Sequence, residues 1–164
     1  LSARDVRHKS DLGAVLLGVR GDAAVRAAFA QLQALPGRCG TPVLVESMCP
    51  PGVEIMIAVR RDGLVPVLVV ALGGVWVEVL DDVVLMPLPV DRATVRDRLR
   101  RLHAAPLLTG GRGRPAVDLD AVSDLAVGVA ALAMSADLEL IELNPVLAGP
   151  HGATAVDAVA RYRT

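Results

Sequence analysis

The chain has 164 residues, 53% of them hydrophobic and 21% charged, which suits one domain or two small ones and excludes a disordered segment. Aromatic residues make up only 2%, so the core must be built from Ala, Val and Leu, and nucleic-acid reading by base stacking is excluded. A net charge of −1 gives no general attraction to polyanions, and no apolar run approaches the ~18 residues of a membrane span, so neither nucleic acid nor membrane is expected as a partner.

Cys39 and Cys49 fit no metal or disulfide spacing and point to a reduced, cytoplasmic setting. The first residue is Leu1, with neither a Met nor a signal peptide, so the chain reads as a piece of something longer.

In chain order, Gly13 to Val19 alternates weakly and predicts a strand. Asp22 is placed to cap a helix over "DAAVRAAFAQLQAL", ended by Pro36-Gly37. "TPVLVESM" and "VEIMIAVRR" predict two strands, parted by the stiff Cys49-Pro50-Pro51-Gly52 linker. "VPVLVVALGG" is apolar throughout, the mark of a strand covered on both faces, and "VWVEVLDDVVLMPL" continues in β character, with Trp76 in the core. Asp91 caps a helix whose Val95, Leu99 and Leu102 share a face. "LLTGGRGRPAVD" reads as a loop. Asp118 starts a longer helix with Leu119, Val122, Leu125, Val129 and Leu132 on its buried stripe. "LELIELNPVLAGPHGATAVDAVA" then gives two strands around a turn. The fold class is α+β, with a mainly antiparallel sheet and packed helices.

Gly149-Pro150-His151-Gly152 is the strongest turn signal near the end of the chain. If it closes a hairpin with Gly149 opposite Gly152, Asn144 falls opposite Asp157, and Glu142, two residues from Asn144, shares their face. Three hard oxygen donors then converge, a set suited to Mg²⁺ with water and phosphate in its other positions. The same residues also read as a solvated Glu142, an Asn-Pro turn and an aspartate at a strand end. The residues alone leave both open.

"HKSDLGAV", "VESMCPPGVEIMIAV", "ALGGVWVEVLDDV", "GGRGRPAVDLDAVSDL" and "IELNPVLAGPHGATAVDA" resemble, in this order, the ATP-grasp portion of the NDP-forming acyl-CoA synthetases, the group of ADP-forming acetyl-CoA synthetase and succinyl-CoA synthetase. The resemblance covers essentially the whole chain. It implies an ATP-grasp fold, ATP or ADP and Mg²⁺ as cofactors, and His8 as a phosphorylatable histidine. Neutral imidazole is a nucleophile near pH 7, and its phosphoramidate is reactive enough to phosphorylate ADP. It further implies Glu142, Asn144 and Asp157 as the metal ligands, of which Glu142 and Asn144 match the "E-x-N" pattern. Glu46, where the family's inter-lobe strand passes the adenine, Glu54, Glu78 and Arg112 would contact the nucleotide. Glu46 also reads as an edge-strand carboxylate, Glu78 as half of a structural ion pair and Arg112 as a solvated loop residue. Gly73-Gly74 lacks a following helix and makes a poor phosphate loop. His103 and His151 carry no assigned chemistry.

On this resemblance, residues 1–164 are a partial ATP-grasp domain. The family's nucleotide-binding lysine would fall just ahead of Leu1, and the CoA-binding domains lie outside the chain. The fragment alone is expected to be inactive, with the remaining synthetase domains or subunit and the nucleotide as its partners. A second reading is a non-catalytic, ligand-sensing synthetase-like region of a protein lysine acetyltransferase.

Overall fold

The computed structural model describes residues 2–3, 13–37, 39–73 and 82–163, leaving aside the side chain of Arg112. His8, Trp76 and Glu78, and Gly74 of the Gly-Gly pair, lie outside the described residues. The chain divides into two compact units, Leu1–Met48 and Cys49–Thr164.

In the first unit, a two-residue strand β1 (Ser2–Ala3) pairs antiparallel with β2 (Val43–Leu44), and helix α1 spans Asp22–Gln33. Among the described residues no strand forms at Gly13 to Val19; Val15 makes an isolated bridge to Ser2. Gly13 and Gly18 both take positive φ, a conformation that ends extended backbone at each side of the segment. "TPVLVESM" is extended only at Val43–Leu44. The N-cap of α1 is Gly21 rather than Asp22, which instead sits in the first turn, where a carboxylate favours the helix dipole. Ala28 and Leu32 form its buried face. The loop after α1 is fixed by Gln33, whose Nε2 donates to the Thr41 carbonyl at 2.8 Å while its Oε1 accepts from the Gly40 N–H at 2.6 Å.

The second unit is built on a six-stranded antiparallel sheet in the order β5-β4-β3-β6-β7, with β8 also paired to β6. Its strands are β3 (Val53–Arg60), β4 (Val67–Leu72), β5 (Val83–Pro87), β6 (Leu138–Gly149), β7 (Gly152–Ala155) and β8 (Ala158–Tyr162). Among the described residues this unit also carries helices α2 (Arg92–Leu99), α3 (Ala105–Leu108) and α4 (Leu119–Ser135). Ile55, Ile57 and Val59 alternate onto the face that carries α4, and all are buried. The opposite face, the more exposed of the two on β3, carries exposed Glu54 and Arg60, half-buried Met56 and buried Ala58. β4 is covered on both sides only towards its end: Leu68 and Val70 are buried and Val67 and Val69 half-buried, whereas the neighbours Ala71 and Leu72 are both buried.

Both predicted aspartate caps form. Asp91 accepts from the Thr94 N–H at 2.7 Å and Asp118 from the Ala121 N–H at 2.9 Å. Leu102 is buried but lies beyond the end of α2. The buried stripe of α4 runs through Val122, Ser123, Ala126, Val129, Ala130 and Ala133, and Leu132 is exposed. Four of these six are Ala or Ser, so most of the helix's inner positions are held by small side chains. The predicted loop "LLTGGRGRPAVD" includes the end of α3 and a 3₁₀ turn at Gly111–Gly113. Asp82, 7% exposed, accepts from the N–H groups of His103 and Ala104 at 2.8 Å each, which satisfies two donors ahead of α3.

Candidate functional site

Glu142 and Asn144 stand on the more exposed face of β6. The inward residues of this strand are Ile141 and Leu143, then Val146 and Ala148, so the alternation slips by one at Asn144-Pro145. The cause lies in the pairing with β3: Ile57 opposes Leu143 but Ile55 opposes Val146, leaving two β6 residues against Met56 alone. This bulge turns both Asn144 and Pro145 away from the core. Asn144 Nδ2 donates a long hydrogen bond to Glu142 Oε1 at 3.4 Å.

The register across the terminal turn is the one the sequence predicts. Gly149 faces Gly152, Val146 faces Ala155, Leu143 faces Ala158 and Glu142 faces Val159. Between these pairs the Asn144 N–H donates to the Asp157 carbonyl at 3.1 Å, and the Val156 N–H donates to the Pro145 carbonyl at 2.9 Å. Asp157 thus lies across from Asn144. Its Oδ1 accepts from the Ala158 N–H at 2.9 Å, which orients the carboxylate and leaves Oδ2 available.

On β3, Glu54, Met56, Ala58 and Arg60 occupy this same face, opposite in direction to Ile55, Ile57 and Val59. Ala58 pairs with Glu142 on one side and Val69 on the other. Glu54 is exposed and pairs with Leu147, so it stands on the face of Glu142 but about 13 Å further along the strand. Gly73 approaches the Glu54 backbone closely: its N–H donates to the Glu54 carbonyl at 2.7 Å, and a Cβ there would lie 2.8 Å from the Glu54 carbonyl carbon. Glu46 is exposed and belongs to the first unit. Arg112 lies in the 3₁₀ turn Gly111–Gly113.

The sequence reading did not single out Arg60 and Asp62. Asp62 holds the Arg60 guanidinium through both carboxylate oxygens. That hydrogen bond is the main reason the Asp62 carboxyl is held below the ordinary aspartate range, and with the Asp62 charge it keeps Arg60 above the ordinary arginine value. The charge of Glu142 adds in the same direction on Arg60. The signal was the strand alternation itself, which carries the face of Glu54 forward to Arg60.

The donors suit a small, hard cation. Carboxylate and amide oxygens without imidazole or thiolate favour Mg²⁺, which takes one or two protein carboxylates and keeps water or phosphate elsewhere. Among the described residues no three His, Cys, Asp or Glu side chains converge, so the set is an open platform with Asn144 as its central member.

A family model described as an ATP-grasp domain matches residues 1–161. The acetate–CoA ligase (ADP-forming) I subunit beta of Pyrococcus furiosus is 32% identical over 92% of this chain and 68% of that subunit. A trans-feruloyl-CoA synthase of an unknown prokaryotic organism is 37% identical over 93% of this chain and 23% of that protein, so the chain spans about a quarter of the longer relative. Among solved structures, the dinucleotide-forming acetyl-coenzyme A synthetase 1 of Ca. Korarchaeum cryptofilum, in complex with coenzyme A and Mg-AMPPCP and with its phosphohistidine segment pointing towards the nucleotide binding site, superposes with a TM-score of 0.86. That chain is 32% identical, and the match covers 99% of this chain and 74% of that one.

Proposed function

Because the chain belongs to the ATP-grasp domain family, we propose that it is the nucleotide-binding part of an NDP-forming acyl-CoA synthetase. The observation that carries this reading is the placement of Glu142 and Asn144 on the more exposed face of β6 with Asp157 directly across from Asn144. The whole enzyme would catalyse acid + CoA + ATP = acyl-CoA + ADP + phosphate.

In the forward direction an imidazole nitrogen of His8 attacks the γ-phosphorus of ATP, the bond to the β-γ bridging oxygen breaks, and ADP leaves. The phosphoryl group then passes from His8 to the substrate carboxylate, and the thiol of CoA displaces phosphate from the resulting acyl phosphate. Splitting the transfer in this way lets one histidine serve two separate sites. Glu142, Asn144 and Asp157 would hold Mg²⁺, which neutralises phosphate charge when bound. The protein's own contribution is positioning and the exclusion of competing geometries. Glu46, Glu54, Glu78 and Arg112 are the proposed nucleotide contacts. CoA would be bound by the remaining synthetase domains or subunit.

The test is phosphohistidine detection in the full-length protein incubated with γ-labelled ATP. Acid-labile label should appear in the wild type and vanish in His8→Ala. Label that persists in the variant removes His8 from the pathway, and a wild type that takes up none turns the balance towards the ligand-sensing reading.

A further inference from the structure

Arg60 and Glu142 share the more exposed face of the sheet. Ala58 pairs with Glu142 and Arg60 with Leu140, so Arg60 and Glu142 are diagonal neighbours on adjacent strands, with Cα atoms about 7–8 Å apart. The Arg60 side chain is 60% exposed and anchored by Asp62 through Nε and Nη2. Across Leu140, the other arginine of this row, Arg161, is engaged by Glu139 at 2.8 Å. The Glu142 charge is a minor contributor to holding Arg60 protonated, after Asp62. A guanidinium fixed beside a metal-ligating carboxylate disfavours a divalent cation at that carboxylate, while a second carboxylate behind the guanidinium weakens the effect.

We infer that Arg60 is a positioning residue whose charge, moderated by Asp62, sets how much Mg²⁺ the Glu142–Asn144–Asp157 platform requires. This inference rests on the reading of Glu142 as a metal ligand. Its function would be to keep the ionised carboxylate ordered while leaving the metal exchangeable, so that the cation arrives with its nucleotide rather than ahead of it.

The two residues of the pair should act with opposite sign. Arg60→Ala removes the positive charge and leaves Asp62 free, so divalent binding tightens about three- to ten-fold, less at high salt. Asp62→Asn leaves the guanidinium unneutralised, so binding weakens. Arg60→Lys keeps the charge and stays within about two-fold of the wild type. The experiment titrates Mn²⁺ into each full-length variant without nucleotide and reads free ion by electron paramagnetic resonance, with Glu142→Gln alongside. A midpoint unchanged or raised in Arg60→Ala overturns the inference. So do Arg60→Ala and Asp62→Asn shifting together, which is the pattern of a merely structural pair. If Glu142→Gln binds Mn²⁺ as the wild type does, the ligand reading fails on its own account, and the inference falls with it. If Glu142→Gln loses the ion while Arg60→Ala leaves the midpoint unmoved, only the inference is lost.

Discussion

Asn144 and Asp157 are joined through their backbones, the N–H of one donating to the carbonyl of the other at 3.1 Å, and that bond sets the two residues across from each other where the chain passes between β7 and β8. The relationship makes the platform a property of pairing, not of either residue alone. Asp157→Asn should therefore leave the fold intact and weaken Mg²⁺-dependent nucleotide binding about ten-fold, the loss of one charged ligand. Isothermal calorimetry with a non-hydrolysable ATP analogue, with and without Mg²⁺, checks this. Equal affinities for variant and wild type would remove Asp157 from the ligand set.

Gly52 lies where β3 begins, and a Cβ there would come within 2.5 Å of the Ala148 carbonyl oxygen and 2.9 Å of its carbon. Both atoms are backbone of β6 and cannot rotate away. Gly52→Ala is expected to destabilise the second unit by about 2–4 kcal/mol, through displacement of β3 from β6. Urea unfolding followed by circular dichroism gives the number. A loss below half a kcal/mol would mean that the strands separate there at little cost.

Ile57 is fully buried at the centre of the sheet face that carries α4, in a core with almost no aromatic side chains. A core of branched aliphatics and alanines has few large groups able to refill a void. Ile57→Ala should cost about 3–5 kcal/mol, towards the upper end for such truncations. The same denaturation series measures it.

The Asp91 cap makes a pH prediction. Hydrogen bonds to Asp91 from Thr94, the side chain first and the backbone second, hold its carboxyl below the ordinary value of 3.8. A lowered folded-state pKa adds stability above the unfolded value, and that stability is lost as pH falls through the folded value. Asp91→Ala should thus lower Tm slightly at pH 7. The gap between variant and wild type should close as pH is taken below 3.8, which a thermal series across that range reads directly. A gap that stays constant into acid would show that the carboxylate charge contributes nothing to the cap.

Much of the platform was legible in the sequence because its determinants are local. The Gly149-Pro150-His151-Gly152 turn and the alternation on either side of it suffice to place Asn144 across from Asp157, with no knowledge of the rest of the sheet. The aspartate caps at Asp91 and Asp118 were legible for the same reason. Where the outcome depended on a distant partner, local reading failed. The slip at Asn144-Pro145 exists only against Met56 on β3, and its one local mark in "IELNPVL" is Pro145, which has no N–H for a ladder but equally suits a turn. Leu132 reads as inward because it is large and apolar, but the inner positions belong to Val122 and Val129 with the small Ser123, Ala126, Ala130 and Ala133. Arg60 and Asp62 carry no signal of their own in the sequence, where they stand at the charged end of a strand. Only its neighbour Glu142, far off in sequence, gives that end a meaning.

The extra residue on β6 has a consequence for how this protein tolerates change. Removing one residue at Asn144-Pro145 would restore a regular ladder with Ile141 and Leu143, then Val146 and Ala148, still inside and Glu142 still outside, but it would leave one residue against Met56 where two now stand. Packing alone gains nothing from the irregularity. Selection for a more orderly, more stable sheet would therefore tend to erase it, and a stabilised variant that lost it should be screened for cation affinity before it is counted an improvement.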